Sequence, residues 1–205
     1  WEGYDAQRLT LDATRQALAV RYADEPAARE QVLADARRAA LDAITQGFMP
    51  AWEGTPWAFY GTTVTPGEGE IACGYYVSTL LDHAGFRVER VPLAQQASEN
   101  IIKTFTPRGA IRRFSDRPAD EVVAEVQAMG EGLYVLGLDH HAAFLWHDGE
   151  TVQMCHSSYL GTAAVLCEDA ATSPAFASRY RVVGALLDDG MMRRWLEGEA
   201  FATVR

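Results

Sequence analysis

The sequence predicts an α+β fold, with helices first and a mainly antiparallel sheet after them. Three observations predict it. From Ala6 to Phe48 apolar residues recur at helical spacing. A second helix-spaced run opens at Cys73, directly after a loop rich in Gly, Pro and Thr. Beyond Leu133 the period changes to short β-favouring runs separated by turn residues. At 205 residues the chain is long enough for one domain with a sizeable core plus a helical extension. The boundary is expected near residue 50, with residues 1–50 as the extension.

Each element has a local reason. Asp24-Glu25-Pro26 interrupts the first helical run and puts proline at a first helical position, so residues 6–48 read as a helical hairpin. Its apolar positions (Leu9, Ala13, Ala17, Val20, then Val32, Ala36, Ala40 and Ile44) suit packing against a domain. Met49 to Gly69 carries Trp52, Trp57, Phe59 and Tyr60 and reads as an anchored loop that either lines a cleft or caps a core. Residues 72–84 form the next helix, stopped by Gly85. Helices are expected over 94–105 and 118–129, the second with Asp120 and Glu121 in its first turn. Strands are expected over 133–138, 142–146, 151–155, 163–167 and 180–187, with Asp148-Gly149 turning one hairpin. Met191 to Glu199 is a short amphipathic tail, expected to pack on the sheet.

Composition excludes some classes of function. Hydrophobic residues at 48% and charged residues at 22% make a globular balance. No apolar run reaches the roughly 18 residues of a membrane span. The net charge of −10 argues against nucleic acid as a partner, since clustered Lys and Arg supply that affinity. The three cysteines, Cys73, Cys155 and Cys167, fit no zinc or redox spacing. Cys155 and Cys167 could pair and leave Cys73 free, or could be buried small hydrophobes. Trp1 opens the chain with no leader-like segment; localisation stays open, and export to the periplasm or cell surface with the signal peptide removed fits.

A cysteine in the first turn of a helix has its thiolate stabilised by the helix dipole and free amides. Cys73 has that position, and Gly74 beside it would let backbone approach the reacting centre. Nucleophilic catalysis also needs a base near in space. Of the five histidines, His83 reads as solvent-facing or packed, and His147 as a solvated turn residue. His140 and His141 open one strand, and His156 ends the next. If those strands form a hairpin, His141 and His156 meet at the same end of the pair, as a base and its orienting partner would. Strand alternation lets only one of His140 and His141 face Cys73. Asp139 beside them reads as a turn residue.

Four blocks carry a resemblance: Phe59-Tyr60-Gly61-Thr62, Ala72-Cys73-Gly74-Tyr75-Tyr76-Val77, His141-Ala142-Ala143-Phe144-Leu145 and Gln153-Met154-Cys155-His156-Ser157. Their order and spacing between Trp57 and Ser158 resemble NlpC-like, papain-fold cysteine peptidases and amidases, although that family's usual Asp-Cys-Ser-Gly is here Ala72-Cys73-Gly74-Tyr75. The resemblance implies a papain-like catalytic domain over 51–205, its nucleophile helix packed on the sheet. It implies Cys73 as nucleophile, His141 in preference to His140 as base and His156 as the orienting residue. Trp57, Tyr60, Gly74 and Tyr75 are expected to line the substrate cleft. The implied activity is a thiol hydrolase cleaving peptide or isopeptide amides, with bacterial cell-wall (peptidoglycan) peptides as the suggested substrate and no metal or cofactor. A thiol acyltransferase on the same fold and a non-catalytic binding domain are the alternatives.

Overall fold

The computed structural model describes residues 3–205. The first long helix, α1 (Tyr4–Asp24), ends where expected, and Pro26 opens a 3-10 turn (Pro26–Ala28) that leads into α2 (Arg29–Asp42). The chain continues through a π-helical turn (Ala43–Phe48) into the short α3 (Met49–Trp52). After the aromatic loop come α4 (Cys73–His83), β1 (Arg87–Val88), α5 (Arg90–Ala94), α6 (Ser98–Phe105), β2 (Arg112–Ser115) and α7 (Ala119–Met129). The second half supplies β3 (Gly132–Leu138), β4 (Ala142–His147), β5 (Val152–Ser157), β6 (Val165–Asp169), β7 (Tyr180–Ala185), α8 (Asp189–Glu197) and β8 (Ala200–Phe201). None of the described helices is long and apolar enough to cross a membrane.

The main sheet has six strands in the order β2-β7-β3-β4-β5-β6, every neighbouring pair antiparallel. Its central strand explains the uninterrupted apolar run at Leu133–Leu138, because both faces are covered. Leu133 and Val135 join a core with α1, α2, α4, α6 and α8. Tyr134, Leu136 and Leu138 join a second core with α7. Period-two alternation thus sorts one strand between two cores.

Four expectations need correction. Leu9, Ala13, Ala17 and Val20, expected to pack the first helix against the domain, are exposed, and α1 instead buries Tyr4, Leu11 and Leu18. The helix expected from Ala94 to Phe105 is two helices, broken at Gln95–Ala97. The break sits where the end of α5 meets the start of α4: a Cβ on Gly74 would run into the Ala94 carbonyl. Gly74 thus lets backbone approach next to Cys73, as expected from the sequence, and the approaching backbone is the end of α5. The C-terminal amphipathic stretch packs on α1 and α2 instead of the sheet, with Met191, Met192, Trp195 and Leu196 buried there. Its N-cap is Asp188, which accepts from the Met191 amide at 2.7 Å. Finally, His147 lies buried in β4 and donates from Nδ1 to the Gly130 carbonyl at 2.8 Å, so it is no solvated turn residue.

Cys155 and Cys167 face each other across β5 and β6 and are disulfide-bonded, which leaves Cys73 as the free thiol. The bridge joins directly paired positions of an edge strand and fixes the register of everything beside it.

Candidate active site

Cys73 begins α4 behind Ala72, whose backbone is extended and whose side chain cannot cap the helix. The first-turn amides are consequently left without a side-chain acceptor. The entering segment is held in place by its backbone: Ile71 N–H donates to Pro56, Ala72 N–H to Gly61, and the Ser157 hydroxyl to the Ile71 carbonyl at 2.7 Å. The Cys73 sulfur faces the amides of Ala142, Gly74 and Cys73 itself. Burial pushes the thiol above its ordinary range, and those three amides oppose the shift.

His141 immediately precedes β4 and is 5% exposed; His156 on β5 is fully buried. The two rings meet at 83° with His141 Nε2 2.7 Å from His156 Nδ1. The other nitrogen of His156, Nε2, lies 3.2 Å from a carboxylate oxygen of Glu168 on β6, and that oxygen accepts from the Ser173 hydroxyl at 2.6 Å. Strand register accounts for the contact. His156 pairs with Leu166 and Met154 with Glu168, so His156 and Glu168 are diagonal neighbours on one face, while the disulfide lies on the other.

This chain of contacts sets the tautomers. A carboxylate only accepts, so His156 must donate from Nε2. A neutral His156 then accepts at Nδ1, and His141 must donate from Nε2. What remains is a bare Nδ1 on His141, buried and without a hydrogen-bond partner. Burial, reinforced by the neighbouring His156, lowers the pKa of His141 from 6.5 to about 3. Burial also lowers that of His156, against the raising influence of Glu168. At neutral pH the site therefore rests as an uncharged thiol and an uncharged imidazole whose free lone pair is the one a base would use. Cys73 and His141 line the same cavities, and the sulfur lies against the amide of the residue that follows His141.

The larger cavity, about 570 Å³, brings together all four expected cleft residues, Trp57, Tyr60, Gly74 and Tyr75, with Cys73 and His141. His140 also lines it but is exposed, and it takes no part in the contacts between His141, His156 and Glu168. His83 is packed in the core, hydrogen-bonded through Nδ1 to the Tyr4 hydroxyl at 2.8 Å, and that hydroxyl accepts from Trp52. Asp139 is a turn residue: its carboxylate accepts from the Ser178 hydroxyl and the amides of Arg179 and Tyr180. Sequence reasoning missed Glu168, Ser173 and Tyr159. Pairing Cys155 with Cys167 would have placed Glu168 next to His156, since each residue follows a half-cystine.

No family model, no curated protein and no solved structure matches the chain.

Proposed function

We propose that the chain is a thiol hydrolase of the NlpC-like, papain-fold kind, acting on an amide through a thioester on Cys73. The observation that carries this reading is the bare Nδ1 of His141, fixed as an acceptor by His156 and Glu168 and left without a partner in a cavity that the free Cys73 also lines. As Cys73 sulfur bonds to the carbonyl carbon, its proton passes to His141 Nδ1. The imidazolium so formed is stabilised through His156 by Glu168, as a triad carboxylate stabilises its histidine. The oxyanion is received by first-turn amides of α4, which Ala72 leaves uncapped. The C–N bond then breaks, His141 returns the proton to the leaving amine, and water cleaves the thioester. Resting neutrality means that charge separates only during attack, so the nucleophile is activated by its base and does not wait as a thiolate.

The disulfide supports a protein that works in an oxidising compartment. Bacterial cell-wall peptides, the substrate suggested by the family resemblance, are therefore the first amides to test. Wild type and Cys73→Ala are incubated with them and with a library of peptide amides, and new amines are detected by mass spectrometry. Cys73-dependent amine release with a free carboxylate is expected. Release that persists in Cys73→Ala, or no release from any amide, would sink the reading, and acyl transfer to an added amine in place of water would make the chain an acyltransferase.

A further inference from the structure

Cys73 lies between two unlike cavities. The larger is walled by Trp57, Phe59, Tyr60, Tyr75 and Tyr159, and neither a carboxylate nor a Lys or Arg side chain lines it. The smaller, about 220 Å³, mixes polar residues, Gln96, Ser98 and Asp139, with the apolar Ala97, Ile101 and Leu138. The aromatic wall is also where the surface departs from ordinary polarity. Phe59 is 72% and Tyr60 87% exposed, their rings edge to face at 4.9 Å, and Tyr159, half-exposed, stands 5.7 Å from the His141 ring. Large apolar side chains left in water singly need no explanation; several gathered at the mouth of one cavity do. The guanidinium of Arg90 stacks on the Tyr75 ring at 5.1 Å from its centroid and is committed to the Thr62 and Thr63 carbonyls and the Thr79 hydroxyl. A charged substrate group placed in the larger cavity would lose water and gain no counter-charge.

Building on the hydrolase reading above, we infer that the substrate carries a bulky, uncharged, apolar group next to its scissile carbonyl, seated among Trp57, Phe59, Tyr60 and Tyr159. Rings presented by the protein in this way take up flat or branched apolar groups through area burial and edge contacts. The smaller cavity leaves room on the other side of the sulfur only for a compact group. Phe59 and Tyr60 are then specificity-determining residues. An anionic group in the larger cavity, which offers it no cationic partner, is disfavoured.

The test uses one warhead with four substituents: iodoacetamide, its N-phenethyl derivative, a derivative ending in a carboxylate and one ending in an ammonium group. Rates at Cys73 are measured without reductant and divided by each reagent's rate with N-acetylcysteine. The phenethyl reagent is expected to gain about tenfold or more over iodoacetamide, with saturation, and the anionic reagent to fall below it. Phe59→Ala combined with Tyr60→Ala should bring the phenethyl ratio back toward one, whereas Val20→Ser, on the exposed side of α1, should leave it unchanged. Equal ratios for all four reagents, or preference for a charged one, would overturn the inference while leaving Cys73 a reactive thiol. Failure of every reagent to modify Cys73 would overturn the hydrolase reading and the inference with it.

Discussion

Removing the Glu168 carboxylate should slow Cys73 acylation without unfolding the site. Two effects add. Glu168 biases His156 toward the Nε2–H form, and its loss lets the opposite pair of tautomers form, in which His141 Nδ1 carries a proton and cannot act as base. If the two forms become equally populated, this alone costs about a factor of two. The larger effect is on the imidazolium. Across the 2.7 and 3.2 Å contacts and the width of one ring, Glu168 stands about 8 Å from the charge on His141, worth roughly 2 kcal/mol at an effective dielectric of about 20. The carboxylate is 28% exposed, and solvent screening trims this to about 1–2 kcal/mol. Glu168→Ala should therefore lower the acylation rate about 10- to 50-fold. Glu168→Gln keeps an acceptor for His156 but not the charge, so it should recover the tautomer and little of the rate. The assay is acylation by a p-nitrophenyl ester, read with the ¹⁵N shifts of the His141 ring. Wild-type rate and wild-type shifts in Glu168→Ala would refute this reasoning.

Acid should destabilise the protein earlier than its carboxylates alone would. Burial holds His141 near 3 and His83 near 4 and also lowers His156. Their stabilising neutrality is intact above the unfolded value of about 6.5 and is lost as pH falls toward the folded values, at up to about 1.4 kcal/mol per pH unit for each group; urea midpoints that do not change between pH 7.5 and 5 would contradict this. Tyr76→Phe should be neutral or raise Tm by a few degrees, because its hydroxyl is buried among Trp52 and Phe144 without a partner, and a large loss by calorimetry would mean that the hydroxyl is bonded after all. His156→Ala should be acylated slowly yet still at Cys73, with His156→Asn restoring part of the rate by hydrogen-bonding the His141 ring; acylation of His156→Ala at the wild-type rate would reduce His156 to a strand residue.

The fold was legible where one local rule dominated. Pro26, Gly85 and Asp148-Gly149 punctuate the chain where the sequence places them, and the short β-favouring runs between turn residues became β3 to β7. The short parallel pair β1–β8 was not foreseen, because two-residue strands carry no period and exist only once α8 brings Ala200 and Phe201 beside Arg87 and Val88. The same limit separates the legible part of the site from the rest. Cys73, His141 and His156 stand out because each lies at the boundary of an element: Cys73 begins α4, His141 immediately precedes β4 and His156 is next to last in β5. Glu168 looks like an ordinary strand carboxylate, and only the β5–β6 register brings it to His156. The burial that makes His141 a neutral base is a property of packing and has no signature in the sequence.

The most direct measurement of the central claim is acylation of Cys73 by a p-nitrophenyl ester, followed by mass spectrometry in wild type, His141→Ala and His140→Ala. A thioester confined to Cys73 is expected, formed at least about 100-fold more slowly in His141→Ala and at a comparable rate in His140→Ala. Acylation at another residue, or a His141→Ala rate equal to wild type, would contradict the account, and loss of acylation in His140→Ala alone would assign the base to the neighbouring ring.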